Sequence, residues 1–363
     1  MNNQQKSTFF VFSVYRAVLC VGLVIALIMI GVFGPLVWRF VFGDDNVFRH
    51  QVGELSVHFL DVGQGDSVVI QLPDGKVVVI DSGDAMFFPR IRNYLVSRVV
   101  NLGGRIDYVI ATHAHADHVG GLASLIYYFE VGTVFRPHNR SLNDPEWTLA
   151  RGPLVETLTY RDFILAAYNG AEEVRFIERG VNIRGVGYEL YFHTPTRGFI
   201  DSLGTGHGNE NEISPIITLA YLDHVFVFTG DAGFTGEFHF IDVFNGQVDF
   251  YGSVVYLHVG HHGSNGSTSV QFLEVIQPNR AIISVSATNI FGHPHQNVLH
   301  RLRYIEIFRT DTHGNIVVAT GAGGERLYFA FDEYTDLRVV FWVLFSVIFI
   351  GSFVNFYLPR NTK

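Results

Sequence analysis

The chain has 363 residues and a net charge of −9, with 34 acidic side chains against 25 basic ones. That balance excludes a broad electrostatic footprint for nucleic acid, so any polyanion must be held locally, by metal and a few basic groups. The single cysteine, Cys20, excludes an intrachain disulfide and a metal site built from cysteines.

Hydrophobic residues make up 48% of the chain and the mean hydropathy is +0.23, high for a soluble protein. Two segments explain much of the excess. Residues 17–37 and 339–358 carry no charge, and each is long enough to cross a ~30 Å hydrocarbon core as a helix. The first is too long for the apolar region of a cleaved leader and lacks a small-x-small cleavage site. For the second, the bland reading is a helix buried on the domain or bound to a partner. The expected organisation is a tail at 1–16, a transmembrane helix at 17–42, a folded domain at 48–335, a transmembrane helix at 338–358 and a tail at 359–363. Lys6, Arg16, Arg360 and Lys363 flank the spans on the terminal sides, against Arg39, Arg49 and Arg338 on the facing sides. This narrow excess puts the termini in the cytoplasm and the domain outside.

Between the spans, short Val- and Ile-rich runs alternate with turns. Strands are expected at 55–60, 67–72 and 76–81, the last two joined by Pro73-Asp74-Gly75. Ile91, Leu95 and Val99 give helical spacing over 86–102. A buried strand at 108–112 precedes a helix at 120–130. The stretch 143–171 reads as a mostly helical, irregular insertion. Strands resume at 188–193, 216–221, 225–229 and 254–258, with helices at 233–244 and 269–276. Further strands at 281–285, 307–309 and 316–319 close a layered α/β pattern.

The chemistry concentrates in Thr112-His113-Ala114-His115-Ala116-Asp117-His118-Val119-Gly120-Gly121. On extended chain His113 and His115 point to one side, and Asp117 and His118 fall where the helix begins. One buried histidine is usually a hydrogen-bonded core residue; three with an aspartate at this spacing suit Zn²⁺, with Mn²⁺ or Fe²⁺ also feasible. Asp231 ends the apolar run Val225-Phe226-Val227-Phe228-Thr229-Gly230; alone it reads equally well as a helix cap. His261 and His262 lie on a Gly-flanked loop after another strand. His293 and His295, in Gly292-His293-Pro294-His295, either line the site or cap a helix. His58, His193, His207 and His300 lack such context and read as structural or solvated. Asp61, Asp66 and Asp81 read as turn-shaping residues.

His-x-His-x-Asp-His followed by a strand-end Gly-Asp and a loop histidine resembles the metallo-β-lactamase superfamily. More closely still it resembles the extracytoplasmic hydrolase domain of ComEC-type DNA-uptake competence proteins. His58 to Ser67, Val79-Ile80-Asp81-Ser82-Gly83, Ile106-Asp107-Tyr108, Gly230-Asp231, Val259 to Ser264 and Phe291-Gly292-His293-Pro294 all match that family, over roughly residues 54–324. The resemblance implies an αββα sandwich with one or two divalent ions, Zn or Mn, at its edge. His113 and His115 would hold the first ion, Asp117 and His118 the second, and Asp231 would bridge. His261 is the choice for the remaining ligand, with His262 second. Where the superfamily has a further histidine, this chain has Asn209-Glu210-Asn211-Glu212-Ile213-Ser214, which implies a weaker first site with His207 as a substitute donor. Asp117 would orient the attacking hydroxide; Ser264, Asn265, His295 and Asn211 would contact substrate. The family's many-span channel is not found here, so a stand-alone relative is expected.

The expected activity is that of a membrane-anchored, metal-dependent phosphodiesterase acting on DNA, with a membrane-protein partner touching the spans. The rivals are hydrolysis of another ester, such as a phosphorylcholine ester or a lactone, and a non-catalytic metal-bound module that docks DNA or an uptake partner.

Overall fold

The computed structural model describes residues 48–330, apart from 101–103, 142, 143, 147, 156 and 205–209. Both expected membrane spans and His207 lie outside the described residues. Among the described residues no helix is long and apolar enough to cross a membrane.

The strands in chain order are β1 (Leu55–Phe59), β2 (Val68–Gln71), β3 (Val77–Ile80), β4 (Arg105–Ile110), β5 (Glu130–Arg136) and β6 (Ala171–Phe176). Then come β7 (Asn182–Gly185), β8 (Tyr188–Phe192), β9 (Ile217–Tyr221), β10 (His224–Phe228), β11 (Val254–His258), β12 (Arg280–Ile283), β13 (Glu306–Arg309), β14 (Asn315–Gly321) and β15 (Gly324–Ala330). They form two sheets, ordered β15-β14-β1-β2-β3-β4-β5-β6 and β13-β12-β11-β10-β9-β8-β7. Each sheet is half antiparallel and half parallel. The parallel halves are β3 to β6 and β10 to β13.

The helices are α1 (Phe88–Tyr94), α2 (Ala116–Val119), α3 (Leu122–Tyr128), α4 (Leu158–Gly170), α5 (Arg197–Leu203), α6 (Phe234–Val243), α7 (Val270–Ile276), α8 (Gln296–Arg301) and α9 (Thr310–His313). Caps set several starts. Thr157, Thr196 and Ser269 each accept the third backbone N–H of the following helix, and Pro89 opens α1.

The layering follows from side-chain alternation. Phe226 and Phe228 of β10 join Val78 and Ile80 of β3 in a core between the sheets. Val77 and Val79 face outward against α1, α3 and α4, while Val225 and Val227 face α6, α7 and α8. Strands buried on both faces read as continuous apolar runs, which is why the central strands were recognisable. The result is an αββα sandwich.

Some expectations change. Instead of one helix over 86–102, a short 3₁₀ turn at Ala85–Phe87 leads into α1 and then a π turn at Leu95–Val99. Only the end of the 143–171 stretch is helical. Its first part is organised by Arg136, fully buried, which pairs with buried Asp144 at 2.7 Å and donates to the Asn139 carbonyl at 2.8 Å. Strands β5, β6, β7 and β15 were not expected; β6, β7 and β15 are edge strands, charged and partly exposed, as edges commonly are, whereas β5 is mostly buried between β4 and β6.

In the parallel halves the strands end together, at one rim of the sandwich, where ligands of open α/β sheets bind. The loop after β11 is anchored there by Glu237 of α6. Its buried carboxylate accepts from the backbone N–H of Thr268 and, at 2.7 Å, of Ser269. Burial pushes this carboxyl up to about 7, against the pull of those donors and of Arg301. Between the ordinary value of 4.5 and about 7 the folded protein therefore keeps a proton that the unfolded chain has lost. Stability from this group falls as pH rises through that window, by at most ~3 kcal/mol. Urea unfolding at fixed metal saturation should show Glu237→Gln gaining on the unsubstituted protein between pH 5 and 8. A pH-independent difference would uncouple Glu237 from folding.

Candidate metal centre

The chain after β4 turns sharply to bring its histidines inward. Asp81, at the end of β3, accepts from the Thr112 backbone N–H at 2.8 Å and from its hydroxyl at 2.6 Å. The Asp66 N–H donates to the Asp117 carbonyl at 3.1 Å. This close approach requires glycine beside it: a Cβ on Gly65 (φ +145°) would lie 2.4 Å from that same carbonyl oxygen.

Asp231 arrives from the other sheet, after β10, and is buried. Its two oxygens face different histidines. Oδ1 lies 3.1 Å from His118 Nε2 and 3.6 Å from His262 Nε2, and Asp117 Oδ2 lies 3.4 Å from the same His262 nitrogen. Oδ2 lies 3.6 Å from His113 Nε2 and 3.6 Å from His261 Nε2, while His115 Nδ1 is 3.1 Å from His113 Nε2. One carboxylate thus spans two sets of donors.

The rings are held from behind. His118 donates from Nδ1 to Asp81 at 2.8 Å, and His262 from Nδ1 to the Ser284 carbonyl at 3.0 Å, with Asp66 3.3 Å away. Neutral imidazoles held this way turn unprotonated Nε2 atoms into the site. His258 supports the same layer, 2.8 Å from the Ser284 hydroxyl and 3.6 Å from Asp66.

Without a cation the site is electrostatically unbalanced. Burial opposes charge on His118, yet Asp231 and Asp81 hold its imidazole well above the ordinary range. Burial likewise opposes charge on His262, but Asp231 and Asp66 push it up to about 10. Asp231 stays well below the usual carboxylate range despite burial, because His118 and His262 face it. His113 is driven the other way, by burial and by His118.

The donor set fits a divalent ion. His118 Nε2, His262 Nε2 and Asp231 Oδ1 are buried and lack a hydrogen-bond partner, although they face one another. Donors about 2.0–2.1 Å from a tetrahedral ion stand about 3.3 Å apart, and the separations above run from 3.1 to 3.6 Å. Four overlapping groups have donor atoms within 4.8 Å of one another: His113–His118–Asp231, Asp117–His118–His262, Asp66–Asp81–His118 and Asp66–Asp231–His262.

The structure brings His113, His115, Asp117, His118, Asp231, His261 and His262 to one place. The preference for His261 over His262 does not follow the geometry: His262 is buried and belongs to two of the groups, whereas His261 is in none and its side chain is 31% exposed. Asp66 and Asp81, read as turn-shaping, lie inside the site. Asp81 directly follows a strand-like run and Asp66 directly precedes one, and that was the available signal. His293 lies 5.7 Å from His261 and 6.3 Å from His262, centroid to centroid, and His295 stands 4.8 Å beyond His293. Ser264 is half-buried and Asn265 exposed on the same loop. Asn211 lies three residues before Ser214, whose hydroxyl accepts from the Asp231 N–H at 3.3 Å; its own Oδ1 is buried without a partner. His58 and His193 are buried elsewhere, bonded to Tyr94 and Thr218.

Comparison with known proteins identifies the family. The family model for the metallo-beta-lactamase superfamily matches residues 60–287. ComE operon protein 3 of Bacillus subtilis is 28% identical over 282 residues, covering 72% of this chain and 33% of that protein. Competence protein ComA of Neisseria gonorrhoeae is 37% identical over 98 residues, covering 26% of this chain and 14% of that protein. The chain therefore spans a third or less of the length of these relatives. Among solved structures, the metallo-beta-lactamase fold protein YhfI of Bacillus subtilis aligns with a TM-score of 0.42 at 10% identity, covering 73% of this chain and 99% of YhfI. With the family match spanning more than half of its length, the chain belongs to the metallo-β-lactamase superfamily.

Proposed function

We propose that this protein is a membrane-tethered, metal-dependent phosphodiesterase that cleaves DNA. The observation that carries the reading is the Asp231 carboxylate, set between two donor sets at spacings suited to divalent ions. His113, His115 and His261 would hold one ion, Asp117, His118 and His262 the other, with Asp231 shared. Ions bound there supply Lewis acidity and a water of lowered pKa.

The remaining work falls to the chain's own groups. Asp117 is the catalytic carboxylate. Its side chain is 34% exposed, so it faces both the His262 ring and the solvent side, and it orients the attacking water by accepting its proton in a hydrogen bond. The water oxygen bonds to phosphorus and the ester P–O bond breaks. The leaving oxygen keeps the electron pair and takes up the proton lost by water. Ser264, Asn265, His295 and Asn211 would donate hydrogen bonds to the phosphate as its charge builds. The resemblance to ComEC-type DNA-uptake proteins, together with the similarity to competence protein ComA, favours DNA as the polyanion.

Purified full-length chain supplied with Mn²⁺ or Zn²⁺ should cut end-labelled DNA, and Asp117→Ala should slow cutting by ~10²-fold or more. Well-folded, metal-loaded protein that leaves DNA intact would sink the nuclease reading. The net charge of −9 favours phosphorylcholine esters and lactones as the next substrates; inertness on these too would leave a metal-bound docking module.

Metal content separates the donor sets. Asp231→Ala should lose both ions by elemental analysis after dialysis, and His262→Ala the second one. Full retention of two ions by Asp231→Ala would remove it as the shared ligand.

We further infer that residues 17–42 and 338–358 are membrane spans, with the domain extracytoplasmic and a membrane-protein partner contacting the spans. Their uncharged runs support this. Protease added to intact cells should digest the domain; protection until the cells are lysed would reverse the orientation.

A further inference from the structure

A row of rings leads outward from the buried donors. His118 and His262 lie 5.3 Å apart, and His293 lies 6.3 Å beyond His262 with its plane tilted by 28°. Phe291 follows 5.7 Å beyond His293, at 25°. Phe291 is 60% exposed and its neighbour Ile290 is 90% exposed. A lone exposed apolar side chain is ordinary. This pair differs because its loop is held. Asn289 donates from Nδ2 to the carbonyls of Ser286 and His293, at 2.7 and 2.8 Å, and its Oδ1 accepts from the His293 N–H at 2.9 Å. The Ser286 N–H donates to Gln64 Oε1 at 3.3 Å, tying the loop to the turn after β1. An asparagine that bonds the loop at three points holds the backbone on either side of Phe291 while its ring stays exposed.

The overall charge narrows what such a ring can take. At −9 the protein lacks the electrostatic attraction that normally supplies affinity for a nucleic-acid backbone. Stacking of bases on aromatic rings supplies affinity without net positive charge and tolerates any sequence. Phe291 stands two rings out from His262, so a phosphodiester at the metal centre leaves a flanking base within reach of it. Bases in a duplex are already stacked on each other; those of a single strand are free to stack on protein.

We propose that Phe291, backed by His293, is a base-stacking platform that directs this site toward single-stranded DNA. The assignment rests on the phosphodiesterase reading and adds the substrate class and the residue that selects it.

The test uses purified full-length chain with Mn²⁺ and two labelled single strands, one intact and one with abasic nucleotides. The unsubstituted protein should show a KM for the intact strand about fivefold to fiftyfold below that for the abasic strand, with kcat nearly equal. Phe291→Ala should bring that ratio toward one and Phe291→Trp should keep it. Because the ring is exposed, an unchanged unfolding midpoint is expected for both variants. Binding is read separately in the Asp117→Ala background, where the fluorescence of a 2-aminopurine strand should be quenched, and the quench should disappear when Phe291→Ala is added. Equal KM for intact and abasic strands, or a ratio or quench indifferent to Phe291→Ala, overturns the platform while leaving the phosphodiesterase standing. Failure to cleave or bind either strand overturns both.

Discussion

A carboxylate buried away from water stays ionised only where positive charge meets it, and Asp231 is the place where this protein accepts that condition. It is almost fully buried, and four histidines surround its two oxygens at 3.1 to 3.6 Å. Asp66, Asp81 and Asp117 add three more carboxylates to the same region. In the protein alone, protonated His118 and His262 offset only part of this set, and a divalent cation would offset more, because it meets several carboxylates at once. The acidity of the site is thus a physical reason for metal affinity, independent of any family likeness.

The same residue explains why the sandwich matters. Asp231 comes from the second sheet, whereas His113 and His118 come from the first. The two strand ends are pressed together at Gly230, which adopts φ +47° and on which a Cβ would lie 2.9 Å from Thr112. The aromatic core between the sheets, with Phe59, Phe192, Phe226 and Phe228, holds that seam closed. The approach of Asp231 to the histidines that follow β4 is therefore set by the close packing of the two sheets. A cavity made in this core would loosen the site without touching a donor.

Much of this was legible in the sequence, for identifiable reasons. The central strands are buried on both faces, so Val77-Val78-Val79-Ile80 and Val225-Phe226-Val227-Phe228 stand out as unbroken apolar runs. The local motif from His113 to His118 was legible because its donors lie within one turn of chain. Edge strands were missed because Ala171–Phe176 and Gly324–Ala330 carry charges on exposed positions and pair along one side only, with β5 and β14. Asp66 and Asp81 were underrated because their partners, His262 and His118, are remote or on another element. Spacing along the chain cannot reveal a hydrogen bond made across a sheet.

The order of His261 and His262 was hidden for a subtler reason. Both residues adopt left-handed backbone, φ +50° and +53°, a conformation that costs non-glycine residues about 1–3 kcal/mol where it is strained. No sequence pattern announces two such residues in succession. The turn sends the rings to opposite oxygens of Asp231. His262 becomes buried, locked by the Ser284 carbonyl, beside Asp117 and His118; His261 stays partly exposed beside His293, on the Asp231 oxygen that also faces His113. Each half of the donor set thus joins buried donors to a partly exposed one, His113 with His261 and His118 and His262 with Asp117.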